Sequence, residues 1–230
     1  MIEMDSKTVN CTAGPQLSHI GFRPIVIGIS GASCSGKSWL AEKIHGEKVN
    51  ESQIIDLDGY YRELDAVAQL EHGHDNPDSI NFEQALSDLR QLKAGQESQF
   101  PIYCYEQHKV KGFRLCSPTP VILVEGLFIF AHQQLRAEID IKIWIETCEE
   151  LRFTRRVQRD TSRRSRTVDE IRERYECDVI PGFQKFIKPL REHADIIVGN
   201  DGRDASQSPL FAKLVVAYVE QLSATHATAK

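Results

Sequence analysis

Five short runs of apolar, largely β-branched residues recur along the chain, and segments with helical spacing separate them. The runs occupy residues 25–30, 53–57, 121–124, 142–146 and 195–198. Their apolar residues stand next to one another instead of alternating with polar ones, which is typical of strands buried on both faces of a parallel sheet. Alternating strands and helices predict an α/β fold with a doubly wound parallel sheet, in which ligands bind at the carboxyl ends of the strands.

Two of the helices can be delimited by their end signals. Asn81 is a candidate N-cap and Gly95 a stop for one helix, and Ser208 with Pro209 opens the last helix. The apolar residues of the last helix are Leu210, Leu214, Ala217, Val219 and Leu222. Residues 1–23 are polar and show no period, so we expect an N-terminal tail there, one folded domain at 24–222 and a C-terminal tail at 223–230.

The composition fits one globular domain of 230 residues, with 41% hydrophobic and 27% charged residues. The formal net charge is −5, so no general positive field is available to hold nucleic acid or an anionic membrane, and a small-molecule partner is favoured. No stretch approaches the roughly 18 apolar residues of a membrane span, and the first twenty residues hold no apolar run, so we expect a cytoplasmic protein. Six cysteines lack metal-site spacing and are expected to be reduced thiols: Cys11, Cys34, Cys104, Cys116, Cys148 and Cys177.

The strongest local signal is a glycine-rich sequence between the first predicted strand and a helical segment. It matches the G-x-x-x-x-G-K-S pattern of a P-loop, in which backbone N–H groups and a helix N-terminus bind the phosphates of a nucleoside triphosphate. We expect Lys37 to contact the β- and γ-phosphates and Ser38 to ligate Mg²⁺. An ordinary Gly/Ser-rich turn is the alternative. The residues are Gly31, Ala32, Ser33, Cys34, Ser35, Gly36, Lys37 and Ser38.

Two carboxylates follow predicted strands at the edge where ligands bind. Asp58 comes after the second strand, where a general base could take the proton of a phosphoryl acceptor; it could also be a turn-forming residue beside Gly59. Glu125 follows the buried run 121–124, and a buried acid needs a metal ion or another partner. We therefore assign Glu125 to Mg²⁺, directly or through water, with Asp58 as a further candidate ligand. A helix-capping role is the alternative for Glu125.

Seven arginines between residues 152 and 166 form a local concentration of positive charge in an acidic chain. Several recur at helical spacing with only Asp160 nearby as an acid, so their mutual repulsion predicts an anionic partner such as a triphosphate. We expect a helical lid at about 152–174 that closes over the transferring group and excludes water. A solvated helix surface is the alternative. The seven are Arg152, Arg155, Arg156, Arg159, Arg163, Arg164 and Arg166.

In this order, the motifs resemble the uridine/cytidine kinase family, a branch of the phosphoribulokinase and uridine kinase group of P-loop kinases. The resemblance covers about residues 25–198 and implies a P-loop NTPase fold with a β-hairpin substrate insertion at about 72–116. It implies that Asp58 is the catalytic base and that Lys37, Arg159 and Arg163 act on the phosphates. Mg²⁺ and ATP or GTP are the implied cofactors, a nucleoside is the implied acceptor, and homo-oligomers are typical of the family.

The resemblance also assigns the substrate side of the site. Asp75, in the segment 74–78, matches the family's ligand of the ribose hydroxyls, while Tyr103 and His108 match residues that contact the pyrimidine. Without the family, Tyr103 would be a packed hairpin residue and His108 a surface histidine. The implied substrate-binding set is Tyr61, Asp75, Tyr103, His108, Arg156, Arg166 and Arg174.

Two residues depart from the family pattern, and both belong to the nucleoside pocket. His74 stands where the family has an aromatic residue, and Arg174 stands where it has a glutamine. Arg174 puts a permanent cation near the sugar unless the side chain turns outward or pairs with Asp178. His72, His74 and Asp75 could also suggest a metal site, but no further ligand is spaced to complete one.

Other functions remain as alternatives. A related kinase could act on another nucleoside or on a sugar phosphate. Residues 56–59 imitate the D-x-x-G of a GTPase switch, but the chain lacks the N-K-x-D or T-K-x-D motif that binds guanine. A catalytically silent nucleotide-binding module is disfavoured because Lys37, Ser38, Asp58 and Glu125 are all present.

Overall fold

The computed structural model describes residues 23–47, 51–164, 166–201 and 207–228, except for the side chains of Arg163, 207–210 and 222–228. Its strands are β1 (Ile25–Gly31), β2 (Ser52–Asp56), β3 (Ser98–Cys104), β4 (Lys109–Cys116), β5 (Val121–Glu125), β6 (Ile141–Glu146) and β7 (Ile196–Gly199). Five of them form a parallel sheet in the order β2-β5-β1-β6-β7, and β3 and β4 form a separate antiparallel hairpin. The described residues therefore confirm the doubly wound parallel sheet and the hairpin.

The helices are α1 (Lys37–Glu47), α2 (Leu64–Val67), α3 (Phe82–Lys93), α4 (Gln133–Ala137), α5 (Glu149–Arg163), α6 (Val168–Arg174), α7 (Ile180–Gly182) and α8 (Gln207–Thr228). Two π-helical turns, Tyr175–Val179 and Phe183–Ile187, extend the helical segment on either side of α7. No described helix is long and apolar enough to cross a membrane.

Both faces of the sheet are covered, as buried parallel strands require. On one face, Ile27 and Ile29 of β1 pack with α1 and α8. On the other face, Val26 packs in a cluster with α3 and the buried rings of Phe128 and Trp144. Successive residues of β1 point to opposite faces, so one central strand anchors both layers and holds the loop that follows it in place.

Several boundaries differ from the expectations. Asn81 caps α3 by accepting a hydrogen bond from Gln84 N at 3.3 Å, as predicted. Helix α8 continues to Thr228, so the expected domain end at residue 222 falls inside the helix. Its buried face is formed by Ala212, Val215 and Val219, whereas Leu214, one of the apolar residues noted in this helix, is 58% exposed. Of the expected N-terminal tail, residues 1–22 lie outside the described residues.

Candidate active site

The P-loop joins β1 to α1 and has the backbone of a phosphate cradle. Gly31 (φ 149°) and Gly36 (φ 106°) adopt backbone angles that residues with a side chain rarely adopt. A Cβ atom at Gly31 would lie 2.6 Å from the Ile145 carbonyl oxygen, so β6 leaves no room for one. The Lys37 ammonium donates a hydrogen bond to the Ala32 carbonyl oxygen at 3.0 Å, which holds this cation against the loop.

The P-loop is linked to the end of β5 by a short hydrogen bond. Ser38 Oγ donates to Glu125 Oε1 at 2.6 Å, and Glu125 is buried. Burial raises the pKa of Glu125; the Lys37 charge and the Ser38 hydroxyl oppose this rise, and the Asp58 charge adds to it. Residues 126–132 form turns, so Glu125 does not cap a helix.

This donor set fits Mg²⁺. A hydroxyl and a carboxylate, with Asp58 near enough to interact electrostatically, are the hard oxygen ligands that Mg²⁺ takes in small number beside phosphate oxygens and water. In the described parts of the chain, no group of three His, Cys, Asp or Glu side chains is placed to hold a metal. A nucleotide would therefore have to supply part of the coordination.

Asp58 lies in a 3₁₀ turn, Leu57–Tyr60, just beyond β2. The Asp56 side chain accepts a hydrogen bond from Asp58 N at 2.9 Å and fixes this turn, while the Tyr105 hydroxyl donates to Asp58 Oδ2 at 2.6 Å. Desolvation inside the site, together with the negative charges of Asp58 and Glu125, raises the pKa of Asp56, although its side chain is exposed at the end of β2. The carboxylates of Asp56, Asp58 and Glu125 thus repel one another, and the Lys37 charge offsets part of this repulsion.

One cavity brings together nine of the residues that the sequence assigned to the site, mainly those of the substrate side. The P-loop contributes Ser33, and the residues assigned in advance are Asp58, Tyr61, Asp75, His108, Arg156, Arg159, Arg166 and Arg174. The remaining lining residues are His74, Tyr105, Leu127 and Arg164. Phosphate-binding, base and substrate candidates therefore share one space, as transfer between two ligands requires.

Tyr103 does not line this cavity and packs behind it. Its hydroxyl lies 3.2 Å from His74 Nε2, and the residue is 8% exposed. Tyr105 lines the cavity in its place, and the Arg164 guanidinium lies 4.4 Å from the centre of its ring. Tyr103 and Tyr105 stand two positions apart in the sequence, and this spacing is a signal that could have added Tyr105 to the candidate residues. A bulge between Ile102 and Tyr103 shifts the hairpin register, and no sequence signal reveals it.

The substrate side of the cavity holds a buried acid beside a neutral histidine. Asp75 ends the 3₁₀ turn Gly73–Asp75 and is 6% exposed. Burial raises the pKa of Asp75, and the charges of Arg156 and Arg174 oppose the rise. Burial and then the charge of Arg174 lower the pKa of His74 to about 4. The His74 ring is therefore neutral at neutral pH.

Arg174 points into the cavity and not to solvent. It lines the space beside His74, and its Nε is buried without a hydrogen-bond partner among the described residues. The Nδ1 atom of His108 is likewise buried and unpartnered, at a backbone φ of 50°. Neither atom has surface that a ligand in the cavity could contact, so each needs a side-chain movement or a buried water to gain a partner.

The arginines of α5 surround Asp160, which has no solvent exposure. Its carboxylate accepts a hydrogen bond from Arg159 Nε at 2.7 Å, and Arg156 Nε and Arg164 Nη1 lie 3.6 and 3.5 Å away. Burial would raise the pKa of Asp160, but the Arg159 hydrogen bond and the three positive charges lower it. Asp160 therefore compensates part of the repulsion that the sequence predicted among these arginines, while burial and the charge of Arg159 still lower the pKa of Arg156 and Arg164. The side chain of Arg163 lies outside the described residues.

Comparisons with known proteins show the family of this chain. Residues 26–204 match the model of the Phosphoribulokinase / Uridine kinase family. A uridine kinase of Borrelia duttonii is 36% identical over 182 residues, which cover 78% of this chain and 88% of the relative. A uridine kinase of Chloroflexus aggregans is 36% identical over 205 residues, which cover 86% and 96%. The solved phosphoribulokinase of Rhodobacter spheroides has a TM-score of 0.58 at 16% identity, over 78% of this chain and 71% of its own, and so shares the fold.

Proposed function

Because this chain belongs to the phosphoribulokinase and uridine kinase family, we propose that it transfers the γ-phosphoryl group of ATP, or of GTP, to the 5′-hydroxyl of uridine or cytidine. One observation carries the proposal. The Asp58 carboxylate, the P-loop residue Ser33 and the buried Asp75 line the same cavity. A general base, a phosphate site and a sugar-binding acid in one space are what such a transfer needs.

On the nucleotide side, the P-loop backbone and Lys37 bind the β- and γ-phosphates, and Arg159 and Arg163 add positive charge. Bound Mg²⁺, held by Ser38 and Glu125 with Asp58 nearby, would neutralise charge that develops on the phosphates. Arg159 is oriented by its bond to Asp160 and lines the cavity, so its position is fixed before a ligand arrives. Fixed donors need little rearrangement during transfer, which is the basis of electrostatic catalysis.

On the acceptor side, Asp58 accepts the proton of the 5′-hydroxyl as that oxygen attacks phosphorus. The Tyr105 hydroxyl bonds one of its two oxygens and leaves the other for the acceptor. Asp75 binds the ribose hydroxyls, with Arg156 beside it. Tyr61, His108, Arg166 and Arg174 surround the nucleoside, and Tyr103 supports His74 from behind.

This assignment places the protein in pyrimidine salvage in the cytoplasm, as a homo-oligomer whose partners are small molecules and neither nucleic acid nor membrane. An acceptor other than uridine or cytidine, such as another nucleoside or a sugar phosphate, is the second candidate. Arg174 favours it, because a permanent cation with several donors lines the cavity and suits an acceptor-rich or anionic group.

A coupled assay of ATP consumption against a panel of nucleosides and phosphorylated sugars tests the proposal. We expect consumption to depend on uridine or cytidine. ATP hydrolysis in the absence of any acceptor would instead indicate a GTPase-like switch. A protein that binds nucleotide but shows no turnover would be a catalytically silent nucleotide-binding module. Turnover only with a phosphorylated sugar would support the kinase activity and exclude a nucleoside as the acceptor.

A further inference from the structure

The P-loop rests on three side chains that the proposed reaction leaves unused. They donate to one atom, the carbonyl oxygen of Ser35: Asn200 Nδ2 at 2.7 Å, Thr147 Oγ1 at 3.0 Å and Arg155 Nη1 at 3.4 Å. Asn200 follows β7, Thr147 follows β6, and Arg155 lies on α5. We refer to Thr147, Arg155 and Asn200 as the Ser35 clamp.

The clamp decides which way one peptide group of the P-loop faces. The Ser35–Gly36 peptide is trans, so its carbonyl and the Gly36 N–H point in opposite directions. Since the carbonyl is held against the clamp, the N–H faces the other side of the loop, where a P-loop binds phosphate. Rotation of this peptide would replace a donor by a carbonyl oxygen, and that oxygen would repel the phosphate.

The clamp is itself held firmly. Asn200 N donates to the Glu146 carbonyl oxygen at 2.8 Å, and the Asn200 carbonyl oxygen accepts from Arg155 Nη2 at 3.2 Å. Asn200 also sits so close to the loop that a Cβ atom on Gly36 would lie 2.3 Å from its Nδ2. The amide therefore fills the space in which a side chain at residue 36 would lie.

We infer that Asn200 and Thr147 are positioning residues for nucleotide binding, acting through the Ser35–Gly36 peptide. Arg155 belongs to the same clamp, so the two adjacent arginines of α5 have different contacts. Arg155 anchors the helix to the P-loop, and Arg156 faces the cavity. The inference rests on the proposed function for the identity of the ligand, a nucleoside di- or triphosphate.

The test uses two variants that keep the shape of the side chain. Asn200→Asp replaces the donating amide by a carboxylate that repels the Ser35 carbonyl, and Thr147→Val removes the hydroxyl. The full-length protein is titrated calorimetrically with ADP and Mg²⁺, and the KM for uridine is measured at saturating ATP. We expect each variant to bind ADP about ten-fold more weakly, with the uridine KM changed less than about two-fold.

A matched control separates positioning from general destabilisation. Thr119 Oγ1 donates to the Val121 carbonyl oxygen at 2.9 Å, at the opposite end of the sheet from the P-loop, so Thr119→Val removes a similar bond. It should leave the ADP affinity within two-fold of wild type. The inference is overturned if folded Thr147→Val binds ADP as wild type does, or if the uridine KM rises as much as the ADP Kd. ADP binding needs no acceptor, so the clamp can be judged even if uridine proves not to be a substrate.

Discussion

Replacing Asp160 by asparagine tests how the arginine-rich helix is held together. The substitution keeps the shape of a fully buried side chain and removes the charge that Arg156, Arg159 and Arg164 share. Removing one partner of a buried ion pair costs about 3–5 kcal/mol. Because 31% of the Arg159 side chain and 20% of the Arg164 side chain remain exposed, solvent screening places the loss near the lower end, about 3 kcal/mol.

A loss of this size is easily measured. For a domain of about 200 residues each kcal/mol lowers Tm by roughly 2–4 °C, so Asp160→Asn should lower Tm by about 6–12 °C in thermal unfolding. ATP should raise the Tm of the variant more than that of wild type, because the phosphates supply part of the missing negative charge.

The control for this experiment is an exposed ion pair. Glu71→Gln breaks the contact between Glu71 and Lys185 at the surface and should shift Tm by less than about 2 °C. If the Tm of Asp160→Asn is as high as that of the control, the arginines do not depend on the buried carboxylate. Asp160 would then not orient Arg159.

Three further predictions concern the acceptor pocket. Asp75→Ala should raise the uridine KM at least ten-fold with little change in the ATP KM, and wild type should use 2′,3′-dideoxyuridine poorly; equal use of both nucleosides would remove Asp75 from the site. Arg174→Gln should lower the KM for uridine and cytidine in steady-state kinetics, because it removes a permanent cation from the pocket of an uncharged nucleoside. An unchanged KM would mean that arginine and glutamine at position 174 bind the nucleoside equally well. His74→Phe should flatten the acid dependence of stability: the depressed pKa of about 4 means that the contribution of neutral His74 is complete above pH 6.5 and is lost as the pH falls toward 4. Urea unfolding of both proteins between pH 7 and 4 measures this, and parallel pH curves would contradict it.

The sheet and the phosphate cradle could be predicted because their signals are local. Buried parallel strands appear as uninterrupted apolar runs, and the P-loop sequence stands between a strand and a helix. Asp58 and Glu125 could be assigned because the carboxyl ends of parallel strands meet at one edge, as the pairing of Asp56 with Glu125 shows.

The remaining features depend on contacts between distant segments. Tyr105, which follows the end of β3, lines the cavity, whereas Tyr103 within β3 packs behind it. Asp160 appears in the sequence as one acid among seven arginines, and only its complete burial makes it their common partner. Asn200 reaches the P-loop because β6 lies next to β1 in the sheet and β7 lies next to β6, and the strand order cannot be derived from any single segment.

The central claim is phosphoryl transfer to a pyrimidine nucleoside, and the most direct measurement is to follow the label of ATP marked in its γ-phosphate. With Mg²⁺ and uridine, wild type should produce labelled uridine 5′-monophosphate, Lys37→Ala should produce almost none, and Asp58→Asn should lower kcat roughly 10²-fold with a small change in the uridine KM. Label that appears only as free phosphate, or a fully active Asp58→Asn protein, would contradict the account.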